Sequence, residues 1–396
     1  MPEHVFPGVY VEEILNGLHP IEGVSTSTAG FVGETEKGPT TPTLVTSWRE
    51  FEQTFGGFID GPPLNHPHGH LPYAVRGFFD NGGRRAFVTR VVAASGATDP
   101  ATLDDYVGTP TSAPDDRRGL AALATIDEIA LLAAPDDVVI PGLRDALIAA
   151  CERSQRQFAV TSLDQGLAPA SDVRLPWDSM FASAYYPWIR VDAPHRPGGS
   201  VLVPSTGHVL GIYARVDLER GVHKAPANES VNGLVTGTAG EPPLEFTLSD
   251  VEQEPFSTHG INVIRDFRAS GRGILVWGAR TASSSMDFRF VTARRLLIFI
   301  EDSIRRGLEW VAFEPNVERT WSAVRRAVEN FLLTVWRDGA LQGSKAEEAL
   351  FVQCDRTTMT QNDLDNGRLT CLIGVAPIRP AEFVIVAISK TTREAN

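Results

Sequence analysis

Apolar positions in this chain alternate between short runs and longer stretches with helical spacing. In "TSWREFEQTFGG", Trp48, Phe51 and Phe55 share one helical face behind Thr46 or Ser47 as cap. "LPYAVRGFFDNGG" reads as a second helix, with Pro72 early and Asn81-Gly82-Gly83 as its stop. "RAFVTRVV" follows at once as a strand. The same order returns in "IALLAAP", "PGLRDALIAACERS" and "QFAVTSLD", a strand, a helix and a strand. This alternation predicts an α/β sheet with helices packed on it.

Between and after these elements the pattern changes. Residues 93–118 are rich in small residues, Pro and Asp, and read as an exposed insertion, while 196–260 hold many Gly and Pro loops. A second regular block starts at "INVIRDF", continues with the strand "GILVWGAR", and enters a helical segment from Asp287 to about Val311. "NVERTWSAVRRAVENFLLTVWRDGAL" is amphipathic, with Val317, Trp321, Val324, Val328, Phe331 and Val335 on one face. Two strands sit at the chain ends: "PGVYVEEI", carrying Val9, Tyr10 and Val11, and "AEFVIVAISK". In the latter, Phe383 and Ile385 are apolar on one face and Val384, Val386 and Ile388 on the other, so neither face favours water. Such a strand needs a cover. Strand addition to another molecule supplies one; pairing within the same subunit is the alternative.

Charge and chemistry narrow the function. A net charge of -13 argues against nucleic acid as the main partner. Residues 261–345 nevertheless carry 14 Lys and Arg against 9 Asp and Glu, which suits an acidic partner surface. Within them, Glu301 with Arg305 and Asp302 with Arg306 have the favoured i, i+4 order, and Arg325 can meet Glu329. Arg294, Arg295, Arg319 and Arg326 have no acid so placed. The chain shows no apolar run of the roughly 20 residues a membrane helix needs, and its N-terminus does not read as a secretory signal. Cys151, Cys354 and Cys371 are odd in number and far apart in sequence, which reads as buried thiols in a reducing compartment. His66, His68 and His70 in "NHPHGH" could share a metal if extended, but Pro67 and Gly69 favour an irregular solvated loop. The carboxylate pairs, such as Asp136-Asp137, are sequence neighbours that point apart and so do not converge on one reacting atom. No nucleotide-binding or nucleophile motif is present, so neither a cofactor nor an enzyme activity is expected.

Several stretches taken in order resemble the contractile tail sheath family of myophage tails, R-type pyocins and extracellular contractile injection systems. "FPGVYVEE" looks like the family's N-terminal arm, and "AVRGFFDNGGRRAFVTRVV" like its helix–NGG–strand signature. "ASAYYPWIRVDAP" and "VPSTGHVLGIYARVDLERGVHKAPAN" resemble the central motifs, although "VPSTG" lacks a second proline common there. The most specific likeness is "INVIRDFRASGRGILVWGARTASSSMDFRFVTARRLLIFIEDSIRRGLEWVAFEPN". The resemblance implies a mixed α/β, multi-domain subunit. Its parts would be an N-terminal arm (1–20), an outer α/β domain (21–260) with a variable insertion at about 93–135, a C-terminal domain facing an inner tube (261–380) and a C-terminal arm (381–396).

By the same resemblance, Val9, Tyr10 and Val11 and then Phe383, Val384, Ile385 and Val386 would be strands given to neighbours. Arg294, Arg295, Arg319 and Arg326 would be candidate tube contacts. The implied function is a sheath that polymerises helically around an inner tube and contracts to drive the tube through a target envelope. The implied partners are further copies of the chain, the tube protein, and baseplate and terminator or cap proteins, with no nucleic acid and no membrane insertion. Assembly would occur in the bacterial cytoplasm, the product being part of a phage tail or phage-tail-like particle. The competing readings are a non-contractile filament or scaffold built by strand exchange, and a metal-dependent hydrolase at the histidine loop.

Overall fold

The computed structural model describes residues 19–59, 69–96, 99–109, 113, 116–167, 173–196 and 198–380. Among these the chain forms two compact units, one of residues 23–302 with 377–380 and one of 19–22 with 303–376.

The larger unit is built on a nine-stranded sheet. Its strands in chain order are β1 (Ala29–Glu34), β2 (Thr43–Val45), β3 (Ala86–Val91), β4 (Leu131–Ala133), β5 (Phe158–Ser162) and β6 (Ala182–Tyr186). After a separate hairpin of β7 (Ile189–Asp192) and β8 (Ser200–Val203) come β9 (Glu229–Ser230), β10 (Ile261–Asp266) and β11 (Ile274–Trp277). The spatial order is β2-β3-β1-β4-β5-β6-β10-β11-β9. From β3 to β10 the strands run parallel, while β2 at one edge and β11 with β9 at the other are antiparallel. β1, β4, β5 and β6 are buried along their whole length. A parallel strand covered on both faces requires this, and it explains why they read as continuous apolar runs.

The helices of this unit are α1 (Trp48–Phe55), α2 (His70–Asp80), α3 (Leu103–Val107), α4 (Gly119–Leu123), α5 (Leu143–Ser154), α6 (Thr206–Arg220) and α7 (Asp250–Thr258). Ser47 caps α1, its Oγ accepting the Glu50 amide at 3.2 Å. α2 and α6 meet backbone to backbone. A Cβ on Gly207 would lie 2.1 Å from the Ala74 carbonyl oxygen, and one on Gly211 2.4 Å from that of Phe78, so only glycine fits. Phe31, Phe78, Phe158, Tyr185 and Tyr213 are fully buried in the surrounding core.

One expected boundary moves. β10 and β11 belong to the larger unit because they hydrogen-bond into its sheet. The division falls not at 260/261 but inside α8 (Val291–Gly307). The exposed reading of 93–118 is corrected at Tyr106 of α3, which is buried; just beyond it Leu120 and Leu123 of α4 are buried and β4 is an interior strand. β4 lies in "IALLAAP", already legible as a strand, whereas the Asp and Gly around Tyr106 hid the burial of that side chain.

The smaller unit holds α9 (Glu318–Arg337), α10 (Ala346–Ala349), β12 (Leu350–Gln353), α11 (Gln361–Asp365) and β13 (Leu372–Val375). α9 buries Trp321, Val324, Val328, Phe331 and Val335, the face its periodicity predicts, together with Leu332. Val317 is instead its N-cap and half exposed. β12 and β13 pair antiparallel, from Leu350 opposite Val375 to Gln353 opposite Leu372, and form a sheet of two strands among the described residues.

Candidate functional site

In an open α/β sheet, ligands bind beyond the carboxyl ends of the strands where the chain order reverses. Here the reversal lies between β1 and β4, because the chain passes from β1 to β3 on one side and returns to β4 on the other. That position is filled by side chains. Asp136, just after β4, is fully buried. Its Oδ1 accepts the amides of Gly69 at 3.2 Å and His70 at 3.1 Å, and lies 2.9 Å from His70 Nδ1. Its Oδ2 accepts the Tyr106 hydroxyl at 2.8 Å. Burial raises the pKa of this carboxyl, yet the bonds from His70 and Tyr106 outweigh burial and hold it below its ordinary value.

Asp137 faces the other way, toward Arg144 at 3.6 Å and the Thr161 hydroxyl. Burial pushes its carboxyl up to about 6 in spite of both. Glu34, closing β1, accepts the Ala101 amide at 2.8 Å. The cluster thus ties α2, α3 and β4 together, and the two adjacent aspartates diverge as neighbours should. His70 is spent on Asp136, and His66 and His68 lie outside the described residues. Among the described residues no group of three His, Cys, Asp or Glu could hold a metal ion, and no helix is long and apolar enough to cross a membrane.

The four arginines separate into two pairs. Arg295 is 4% exposed and makes a bidentate pair with the buried side chain of Asp217 at 3.0 and 2.5 Å, while also donating to the Thr26 carbonyl. Arg294 is 5% exposed, stacks 4.5 Å from the Phe181 ring and meets Glu301 at 2.9 Å. Both are internal ties rather than surface contacts, which corrects the expectation for them. Their acids lie 78 residues away or seven along the helix, beyond the i, i+4 window. Arg319 and Arg326 are exposed on α9. Among the described residues Arg326 donates to the Ser322 carbonyl of its own helix, whereas Arg325 meets Glu329 at 3.8 Å as its spacing implies.

The unfinished element is the sheet of β12 and β13. The Ala376 amide donates to the Ala349 carbonyl at 2.9 Å, which fixes the phase of the ladder. Antiparallel pairs alternate between bonded and non-bonded. The pairs Phe351–Gly374 and Gln353–Leu372 therefore bond inward, while Leu350, Val352, Ile373 and Val375 point their backbone groups outward. Among the described residues those outward groups meet no strand. Phe351 is 58% exposed and Leu372 49%, so this sheet leaves apolar surface uncovered along with its edges. The strand residues Val9, Tyr10 and Val11 and Phe383, Val384, Ile385 and Val386 lie outside the described residues.

A sheet whose crevice between β1 and β4 is filled by its own side chains, in a chain whose second sheet has two strands with open edges among the described residues, fits a structural subunit that assembles. The comparisons with known proteins agree. Residues 106–282 match the phage tail sheath protein central domain and residues 283–391 the phage tail sheath C-terminal domain. A sheath complex of an extracellular contractile injection system, PVC, in its contracted state is 30% identical, covers 99% of each chain and has a TM-score of 0.75. The helical sheath of the anti-feeding prophage in its contracted state is 30% identical over 97% of this chain and 99% of its own, with a TM-score of 0.76. A prophage major tail sheath protein of Pseudomonas aeruginosa is 28% identical over 179 residues, 45% of this chain and 44% of that protein. The matched part thus spans less than half of that curated relative. The chain belongs to the phage tail sheath family. It is a structural protein and not an enzyme.

Proposed function

We propose that this chain polymerises helically around an inner tube and contracts to drive the tube through a target envelope, within a phage tail or phage-tail-like particle. The open β12–β13 sheet carries this reading, because its edges and apolar face are what a neighbour's strand would cover. The terminal segments around Val9–Val11 and Phe383–Val386 are the strands we assign to it. Five interchain backbone bonds at about 1 kcal/mol net each would contribute around 5 kcal/mol per arm, before apolar burial. A head-to-tail contact of this kind uses unlike patches and propagates into a filament. The larger units would then move as rigid bodies while the arms act as hinges.

Arg319 and Arg326 remain the tube-facing candidates, meeting an acidic surface weakly enough to let go on firing. Baseplate and terminator proteins would close the two ends of the cylinder, and assembly would take place in the bacterial cytoplasm. Deleting residues 1–18 and 381–396 together tests the central claim. Electron microscopy of the wild type should show hollow striated tubes, and the truncated chain should remain monomeric. Tubes formed without either arm would overturn it.

A further inference from the structure

Cys354 and Cys371 stand 17 positions apart in sequence, yet the ladder brings them face to face. β12 ends at Gln353 opposite Leu372, so the next position pairs Cys354 with Cys371. By the alternation fixed at Ala349 and Ala376, this is a non-bonded pair, whose Cα atoms lie about 4.5 Å apart. A disulfide spans Cα separations of roughly 4.4–6.8 Å. The two thiols are hydrogen-bonded to each other, and both are free. Cys354 is buried and Cys371 partly exposed.

We propose that Cys354 and Cys371 are an oxidisable dithiol that closes to a disulfide across β12 and β13, with a small dialkyl disulfide of the glutathione class as electron acceptor. The Cys371 thiolate, being the accessible one, attacks one sulfur of the small disulfide, forms a mixed disulfide and expels a small thiolate. Cys354 then attacks the Cys371 sulfur, expels the second small thiolate and completes the Cys354–Cys371 bond. The protein loses two electrons and two protons, and the small disulfide takes them up as two thiols.

Burial, aided by the neighbouring Cys354, pushes the Cys371 thiol up to about 12, and burial raises Cys354 as well. Thiolate is therefore scarce near neutrality, and closure is slow there. The bond would pin the register of the two strands whose outer edges we assign to incoming arms. That consequence rests on the proposed function, whereas the chemistry of the pair does not.

The test uses the full-length reduced chain, oxidised glutathione at mildly alkaline pH, alkylation and peptide mapping. A peptide linking Cys354 to Cys371 is expected, with Cys151 alkylated only after unfolding because it is fully buried in α5. Cys354→Ser should stop at one glutathione adduct on Cys371. The initial rate should rise about tenfold per pH unit below the thiol pKa. Amide exchange at the inward-bonded Phe351 and Leu372 should slow on the order of a hundredfold once the loop is closed.

Adducts on both cysteines without a link, a persistent dithiol, or a link to Cys151 would each overturn the assignment. Unchanged exchange after closure would overturn the stapling role. The chain lacking both arms should still close the bond. Closure there, with tubes also intact, would remove the arm reading and leave the dithiol standing.

Discussion

The two units of this chain solve the same burial problem differently. The larger ends its sheet in short antiparallel strands, three residues in β2 and two in β9, which leave little edge to recruit a partner. Among the described residues its exposed large apolar side chains are Leu218, Val251 and Met286, scattered between 23 and 302. In the smaller unit the 74 residues from 303 to 376 expose Phe313, Val317, Phe351, Leu372 and Ile373, and among the described residues its sheet has two strands. An isolated pair of strands is marginal in water. Among the described residues the larger unit thus closes off its sheet, while the smaller one leaves a two-stranded sheet and apolar side chains uncovered.

This contrast can be broken at either side. The largest effect should come from Ile373→Pro. Its amide points outward from the ladder, so proline removes a donor offered to a neighbour and no bond within the hairpin. The missing bond itself costs about 1 kcal/mol, but the ring also blocks an incoming strand from seating along that edge. The whole arm docking should therefore fail and tubes should be absent by electron microscopy, while the monomer loses only about 1 kcal/mol in urea unfolding. Tubes of normal yield would show that this edge is not used. Next, Phe78→Ala in the closed core should lower monomer stability by about 3–5 kcal/mol. The fraction still folded should polymerise normally; a selective polymerisation defect would mean the units are not independent in this sense.

A third test follows from Asp137, whose buried carboxyl titrates near 6 when folded against an ordinary 3.8. The folded state therefore binds a proton that the unfolded state does not between those values, which favours folding as pH falls. Relative to Asp137→Asn, the wild type should gain about 1.4 kcal/mol per pH unit on going from 6 toward 4. His208, buried between α2 and α6, works in the opposite direction. Burial, then Arg76, depresses its pKa to about 3, so its contribution is lost as pH drops below 6.5. Urea midpoints of the single variants across this range separate the two, and parallel curves for Asp137→Asn and wild type would refute the Asp137 assignment. The smallest effect belongs to the surface. Arg319→Glu with Arg326→Glu should weaken tube co-assembly by about 1 kcal/mol per site and leave free sheath polymers intact, and unaltered co-sedimentation with the tube would exclude these residues.

Local pattern determined much of this protein. The spacing of Trp48, Phe51 and Phe55, the cap at Ser47 and the apolar stripe from Trp321 to Val335 act within a few residues, so the sequence alone reveals them. Strand–helix alternation likewise implied the α/β sheet, because a parallel strand must cross over a helix. Only the tertiary structure decided the rest. The partners of Arg295, Asp136 and Cys371 are Asp217, Tyr106 and Cys354, set by which strands and helices become neighbours. The membership of β10 and β11 in the larger sheet was decided the same way, since hydrogen bonding along a strand edge is indifferent to sequence distance.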